Sequence, residues 1–219
     1  MDEFWDLDIS PLPERSYLYH LKPIGIGTPY VESLLSYVIR LAEAHCVTPH
    51  MLIINEVWPL LTQSGALETP VYHSYGAWRQ RGEMLNGMSA LAKDGVCALE
   101  KLTKRDNLHN LTMLTWANVL SNRRLLRDVQ AWCPLCYEEW KKSSHRIYSP
   151  LLWSLKAVKM CLFHRKPLQE RCPSPQCQKS LPTFVTDIRL GYCPYCHCWL
   201  GSTTVTDSSY TEPMTKEES

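Results

Sequence analysis

The placement of cysteines in the last third of the chain constrains the fold more than any other feature. Two Cys-x-x-Cys pairs occur there, Cys133 with Cys136 and Cys193 with Cys196. Such a pair lets two thiolates reach one tetrahedral ion from a single tight turn, and ligands from a distant segment then close the shell. The pattern therefore predicts two structural zinc sites.

Each predicted site has four ligands. A Cys-x-x-His motif follows the first pair after 24 residues, and two further cysteines precede the second pair with a gap of 15 residues. The predicted ligands of the first zinc are Cys133, Cys136, Cys161 and His164, and those of the second are Cys172, Cys177, Cys193 and Cys196. Four good ligands favour closed structural sites over a catalytic zinc, which keeps one position open. His197 and Cys198 remain alternative ligands of the second ion.

Ten cysteines would also fit a disulfide framework. However, no apolar signal segment opens the chain, and its first residues are acidic. We therefore expect reduced thiols and a location in the bacterial cytoplasm, and we expect Cys46 and Cys97 to be small buried thiols in the helical half. No run is long and apolar enough to span a membrane, so no membrane contact is predicted.

The formal net charge of +1 hides a basic middle region. Residues 23–200 hold 20 basic and 13 acidic side chains. Seven thiolates and two divalent ions would lower this excess to about +4 in the folded protein. We expect contacts with DNA or RNA backbones that are weak and sensitive to salt, and the basic cluster before the first zinc pair, Arg123, Arg124 and Arg127, provides the candidate residues.

Composition divides the chain into four parts. We predict an extended N-terminal arm over residues 1–22, a helical helix-turn-helix domain over 23–128, a double zinc-binding domain over 129–200 and a disordered tail over 201–219. The predicted fold class is a mainly α N-terminal half followed by small zinc-ribbon or zinc-finger modules with little β-structure. Trp5, Tyr17 and Tyr19 of the arm are candidate anchors on a partner protein. The alternative is an arm that folds back on its own domain.

Two Thr-Pro dipeptides, Thr28-Pro29 and Thr48-Pro49, predict helix starts. The hydroxyl can cap the helix, and proline is tolerated at the first helical position. Apolar residues at helical spacing follow both dipeptides, so residues 31–61 are predicted to form a helix-turn-helix that can contact DNA.

A longer helix is predicted from Glu83 to Leu102, followed by a short one over residues 108–116. Gly87 and Gly95 would lie inside the long helix, where glycine is unfavourable. We therefore expect another backbone to approach closely there.

Several sequence blocks occur in a fixed order between residue 23 and about residue 200. They are Pro29-x-x-Glu32-Ser-Leu-Leu-Ser36-Tyr-x-x-Arg40-Leu-Ala, Asn86-Gly87, Leu102-Thr-x-Arg105, Leu111-Thr-Met-Leu, Trp132-Cys-Pro-Leu-Cys136, Trp153, Val158-x-x-Cys161-x-x-His164 and Cys172-Pro. In combination they resemble the TniQ family of transposon targeting proteins, which have an N-terminal helix-turn-helix half and C-terminal zinc motifs. The chain departs from the family pattern between Cys172 and Cys177, where four residues replace the commoner two.

The resemblance implies an adaptor that links a target-recognition complex to an AAA+ ATPase, which in turn recruits the transposase. In CRISPR-associated transposons the recognition complex is a CRISPR effector with its guide RNA. Long family members carry a further DNA-reading extension, whereas no structured region is expected here after Leu200, which favours the adaptor role.

No catalytic constellation is present in the sequence, so we do not expect an enzyme. Paired carboxylates, a Ser-His-Asp set and a phosphate-binding glycine loop are all missing. The alternative function is a zinc-containing transcriptional regulator that reads its operator through residues 31–61. A symmetric dimer on an inverted repeat would favour the regulator. A transposase and an ATPase encoded in neighbouring genes would favour the adaptor.

Overall fold

The computed structural model describes residues 15–63, 82–121 and 123–202. The α-helices in these described ranges are α1 (Leu34–Ala44), α2 (Pro49–Leu52), α3 (Trp58–Gln63), α4 (Ala90–Thr103) and α5 (Pro134–Lys142). A π-helical segment, Ile53–Val57, joins α2 to α3, and 3-10 turns cover Gly82–Asn86, Leu108–Leu111, Met113–Trp116 and Leu151–Ser154. Within the described ranges, β-structure is limited to isolated antiparallel bridges, and no helix is long and apolar enough to cross a bilayer. The predicted helical half with little strand is confirmed.

Helix α1 begins five residues later than the Thr28-Pro29 signal predicts, so that prediction is wrong. Ser33 is the N-cap, and its hydroxyl accepts a hydrogen bond from the Ser36 amide at 3.2 Å. The amide of Glu32 donates instead to the carbonyl of Ile24 at 2.9 Å. This bond to an earlier segment holds the backbone before Ser33 in an extended path.

The second Thr-Pro signal is confirmed, because Thr48 caps α2 and accepts a hydrogen bond from the Met51 amide at 3.3 Å. The turn before it contains Cys46, whose φ of 56° is left-handed. Cys46 and Cys97 are exposed, so the expectation of buried thiols is wrong. The first occupies the turn, and the second lies on the solvent-facing side of α4.

The single long helix predicted from Glu83 to Leu102 is interrupted. A 3-10 turn ends at Asn86, and α4 begins at Ala90 behind a new N-cap, Ser89. The side chain of Asn86 bonds to α1 instead of continuing the helix, since its oxygen accepts a hydrogen bond from the Leu35 amide at 2.9 Å. Gly95 does mark a close approach, but of a side chain: a Cβ there would lie 2.9 Å from Leu85.

Two hydrophobic cores form, and their packing crosses the predicted boundary at residues 128 and 129 in both directions. The helical core is built on α1 to α4, and it also buries Phe184, Val185, Ile188 and Leu190 from the C-terminal half. The metal-side core surrounds Trp132 and Trp153, and it also buries Tyr30 from the N-terminal half. Each half of the chain therefore supplies part of the other half's interior.

Candidate metal centre

The first cluster combines a helix start with a hairpin. Cys133 is the N-cap of α5, and Pro134 occupies the first helical position, so Cys136 lies in the first turn. Cys161 and His164 lie on a hairpin that is closed by an antiparallel bridge between Met160 and Pro167. The Cys161 amide donates to the Lys166 carbonyl at 2.9 Å, and the hairpin thereby turns both ligands toward α5.

The four side chains converge with the separations that a tetrahedral ion requires. The His164 Nδ1 atom lies 3.5 Å from the sulfur of Cys133 and 3.3 Å from that of Cys136. The sulfurs of Cys136 and Cys161 are 3.5 Å apart, which is far longer than a disulfide bond. Ligands at about 2.3 Å from a central ion lie about 3.8 Å apart at tetrahedral angles. The cluster can therefore hold a metal ion.

Two residues outside the ligand set orient it. The carboxylate of Glu139 lies 2.8 Å from Nε2 of His164, which leaves Nδ1 facing the cluster. The Tyr30 hydroxyl accepts the Phe163 amide at 3.1 Å, and its own proton can then be donated to the Cys161 sulfur at 3.3 Å. Sequence reasoning missed both contacts. Glu139 follows Cys136 by three residues on one helix face and was in principle detectable, whereas Tyr30 gave no local signal.

Crowding of the thiols shapes their proton affinities. The side-chain hydrogen bond to Cys133 and a second one to Cys161 raise the pKa of Cys136. Side-chain hydrogen bonds with Cys133 and with Cys136 lower the pKa of Cys161. Neighbouring thiolates repel one another, so the cluster shares protons between sulfurs. A divalent cation would replace those protons and remove the repulsion.

The second cluster is formed by two hairpins of the same design. In one, the Cys193 amide donates to the Cys198 carbonyl at 2.9 Å, and His197 has a left-handed φ of 56°. In the other, the Cys172 amide donates to the Lys179 carbonyl, also at 2.9 Å. The two additional residues between Cys172 and Cys177 are thus absorbed in the turn, and the departure from the commoner spacing leaves the hairpin intact.

Five sulfurs lie near the second site. The ligand atoms of Cys172, Cys177, Cys193 and Cys196 lie within 4.8 Å of one another, so these four side chains can hold a second metal ion. The sulfur of Cys198 is 3.3 Å from that of Cys172, compared with 3.5 Å between Cys172 and Cys196. Cys198 therefore lies beside the ligand set and stays an alternative ligand.

The three candidate arginines lie in different environments. Arg123 and Arg124 are exposed. Arg127 is only 5% exposed, and its guanidinium donates to the carboxylate of Glu170 and to the carbonyl of Val158. Arg127 is thus buried and paired with a partly exposed carboxylate, and only the first two side chains are open to a phosphate.

The described part of the N-terminal arm lies against the helical core. Leu18 is buried, and its amide donates to the Leu102 carbonyl at 2.9 Å. The Tyr19 ring stacks on His45 with centroids 4.2 Å apart. Tyr17 is 71% exposed, and Trp5 lies outside the described residues.

The fold and its two Cys/His clusters define a small helical protein whose C-terminal half has two ligand sets that can each hold a metal ion. The TniQ family model matches residues 23–168, which include the whole first cluster, and the chain belongs to this family. Membership implies an adaptor role associated with transposition. No curated protein matches the chain.

Proposed function

We propose that the protein is an adaptor in targeted DNA transposition, which links a target-recognition complex to an AAA+ ATPase that recruits the transposase. The observation that carries this proposal is the family match over residues 23–168. The recognition partner that we favour is an RNA-guided CRISPR effector.

The shortage of positive charge in the predicted helix-turn-helix favours the adaptor over the regulator. From Leu41 to Gln63 the sequence has no Lys or Arg, and it carries Glu43 and Glu56. Helices that read a duplex rely on cations to bind its phosphates. Arg40, which precedes this segment, is already paired with the buried Glu32 at 2.5 Å. We therefore propose that residues 31–61, even as a helix-turn-helix, do not read an operator.

We propose zinc as the metal of both clusters. Thiolate and imidazole ligands in closed tetrahedral sets are typical of structural zinc. Native mass spectrometry of the purified full chain should give two zinc ions per molecule. One ion or none, or a preparation that binds only iron, would contradict the assignment.

We propose that Arg123 and Arg124 make backbone contacts with nucleic acid. Both are exposed and neighbour one another in the chain. Their joint replacement by Ala should weaken binding to any duplex and lower its salt dependence. Arg127 is left out of this test, because its side chain is buried and donates to the Val158 carbonyl, so its removal would disturb the packing around it.

Capture of an AAA+ transposition ATPase tests the adaptor itself. The tagged full-length protein should retain the ATPase with ATP and DNA present. Tyr17→Ala should weaken capture if this exposed side chain is a partner anchor, whereas Trp116→Ala, which removes another exposed aromatic ring outside the arm, is the matched control. No capture by the wild-type protein, together with nanomolar binding to one duplex sequence, would favour the regulator.

A further inference from the structure

A basic cleft lies where the helical part meets the metal-binding part. Its volume is about 380 Å³, which falls within the range typical of ligand sites. The end of α1 forms one wall through Arg40 and Glu43, and the segment after α5 forms another through Arg146. Arg189 and Trp199, from the second metal-binding region, close the cleft.

Two cations of this basic cleft, Lys141 and Arg189, lie over aromatic rings. Lys141 Nζ lies 4.6 Å from the centre of the Trp199 ring, and the Arg189 guanidinium lies 4.6 Å from the centre of the Tyr192 ring. The two rings contact edge to face, with centroids 5.2 Å apart. Gly191 admits the indole, since a Cβ there would lie 2.4 Å from Trp199. The positive groups are therefore positioned by packing before any ligand arrives.

The charges in the cleft do not cancel. Among the described residues, Lys141, Arg146 and Arg189 have no carboxylate within ion-pair distance, whereas Arg40 is held by Glu32. Glu43 is the one acidic side chain of the lining. Burial raises the pKa of Glu43, and the positive charges of Arg189 and Arg146 oppose this effect. The cleft thus has an excess of cations even with Glu43 ionised.

We propose that this basic cleft binds the phosphodiester backbone of a nucleic acid, with Arg146 and Arg189 donating to phosphate oxygens and Lys141 adding positive charge. The inference rests on the proposed function, because an adaptor at a target site has nucleic acid within reach. Guanidinium groups donate to phosphate through two parallel N–H bonds.

An acidic peptide fits the cleft less well. A peptide interface needs apolar anchor pockets, but the apolar lining residues are already packed into the cores. Leu190 is buried in the helical core, and Leu21 and Ile147 pack against it. The cleft therefore offers a ligand cationic donors, while these apolar side chains are held by the core.

Fluorescence anisotropy with the zinc-loaded full chain tests the proposal. The probes are labelled 20-nucleotide DNA and RNA strands and a 20-base-pair duplex, each at several salt concentrations. Arg146→Ala/Arg189→Ala should weaken binding to the preferred probe about tenfold and lower the salt slope by about 2. Lys93→Ala/Lys101→Ala removes the same charge from exposed positions on α4 and should have little effect. Glu43→Gln should strengthen binding about threefold, because it removes a carboxylate near the phosphates.

Several outcomes would overturn the proposal. Equal weakening by both double variants would show that net charge alone matters. Displacement of the probe by polyglutamate or inorganic phosphate at the same charge concentration would assign the cleft to acidic peptides or small anions. Capture of the ATPase is measured in parallel with the same variants. If the wild-type protein captures the ATPase but does not bind nucleic acid, the cleft assignment alone is refuted. If the wild-type protein does not capture the ATPase, the adaptor is refuted.

Discussion

Removing one hydroxyl group, in Tyr30→Phe, should weaken metal binding at a site whose ligands are more than a hundred residues away. The ring would stay in place, because it is buried and stacked on Phe163 with centroids 4.1 Å apart. What disappears is the acceptor for the Phe163 amide and the donor to the Cys161 sulfur.

The expected magnitude follows from these two bonds. A neutral hydrogen bond contributes about 1 kcal/mol, and one to a charged group contributes about 1.5–3 kcal/mol. Only the bond to the Cys161 sulfur changes with the metal, because the metal-free cluster shares its protons among the sulfurs, whereas metal-bound Cys161 is a full thiolate. The difference between metal-bound and metal-free states is therefore about 0.5–2 kcal/mol, which corresponds to a loss of zinc affinity of about 2-fold to 30-fold.

Competition against a chromophoric zinc chelator measures this loss, and urea unfolding measures stability in parallel. Tyr37→Phe is the matched control, because the Tyr37 hydroxyl is held by the Leu21 carbonyl at 3.1 Å inside the helical core. The control should lose stability but keep the wild-type zinc affinity. If Tyr30→Phe also binds zinc within twofold of the wild type, the hydroxyl does not support the metal site and the reasoning fails.

Three further predictions concern metal, pH and packing. Cys193→Ser should release one zinc in native mass spectrometry and also lower the protection of α4 amides in hydrogen exchange. The reason is that Phe184 and Ile188, which lie between the ligand pairs of this cluster, are buried in the helical core. Unchanged protection of α4 would contradict this coupling. Burial raises the pKa of Glu32 from 4.5 to about 7, so the free energy of unfolding should fall as the pH rises from about 4.5 through 7, and urea titrations at pH 6 and 8 should show that Glu32→Gln flattens this fall. Gly191→Ala should lower the melting temperature by several degrees, since its φ is +81° and Trp199 fills the space.

Sequence reasoning succeeded where the pattern is local. Spacing alone identified both clusters, because a Cys-x-x-Cys or Cys-x-x-His motif is a single turn whose ligands face one point. The start of α2 was equally local, since Thr48 caps the helix that Pro49 begins. The predicted start at Thr28-Pro29 failed because the backbone that follows bonds to distant segments, such as the Leu151 amide that donates to the Val31 carbonyl at 2.8 Å.

Contacts between distant parts of the chain could not be predicted. Tyr30 and Cys161 are 131 positions apart, and Asn86 bonds to α1 across 51 positions. Arg127 resembled its exposed neighbours in sequence, yet its side chain is buried and pairs with Glu170. A basic cluster in a sequence therefore gives a charge count but not the number of cations that a ligand can reach.

The position of the second metal cluster couples metal binding there to the packing of the helical core. Between its two ligand pairs, the segment around Phe184 and Ile188 enters the helical core, and the segment around Arg189 reaches the basic cleft. Thr183 further ties this segment to Glu83 through a hydrogen bond of 3.0 Å. An ion that fixes the two pairs also fixes the ends of the segment between them, which lowers the entropy cost of docking it. Metal binding at this cluster should therefore stabilise the helical core and the basic cleft together, and an adaptor built in this way can hold its partners in one fixed arrangement.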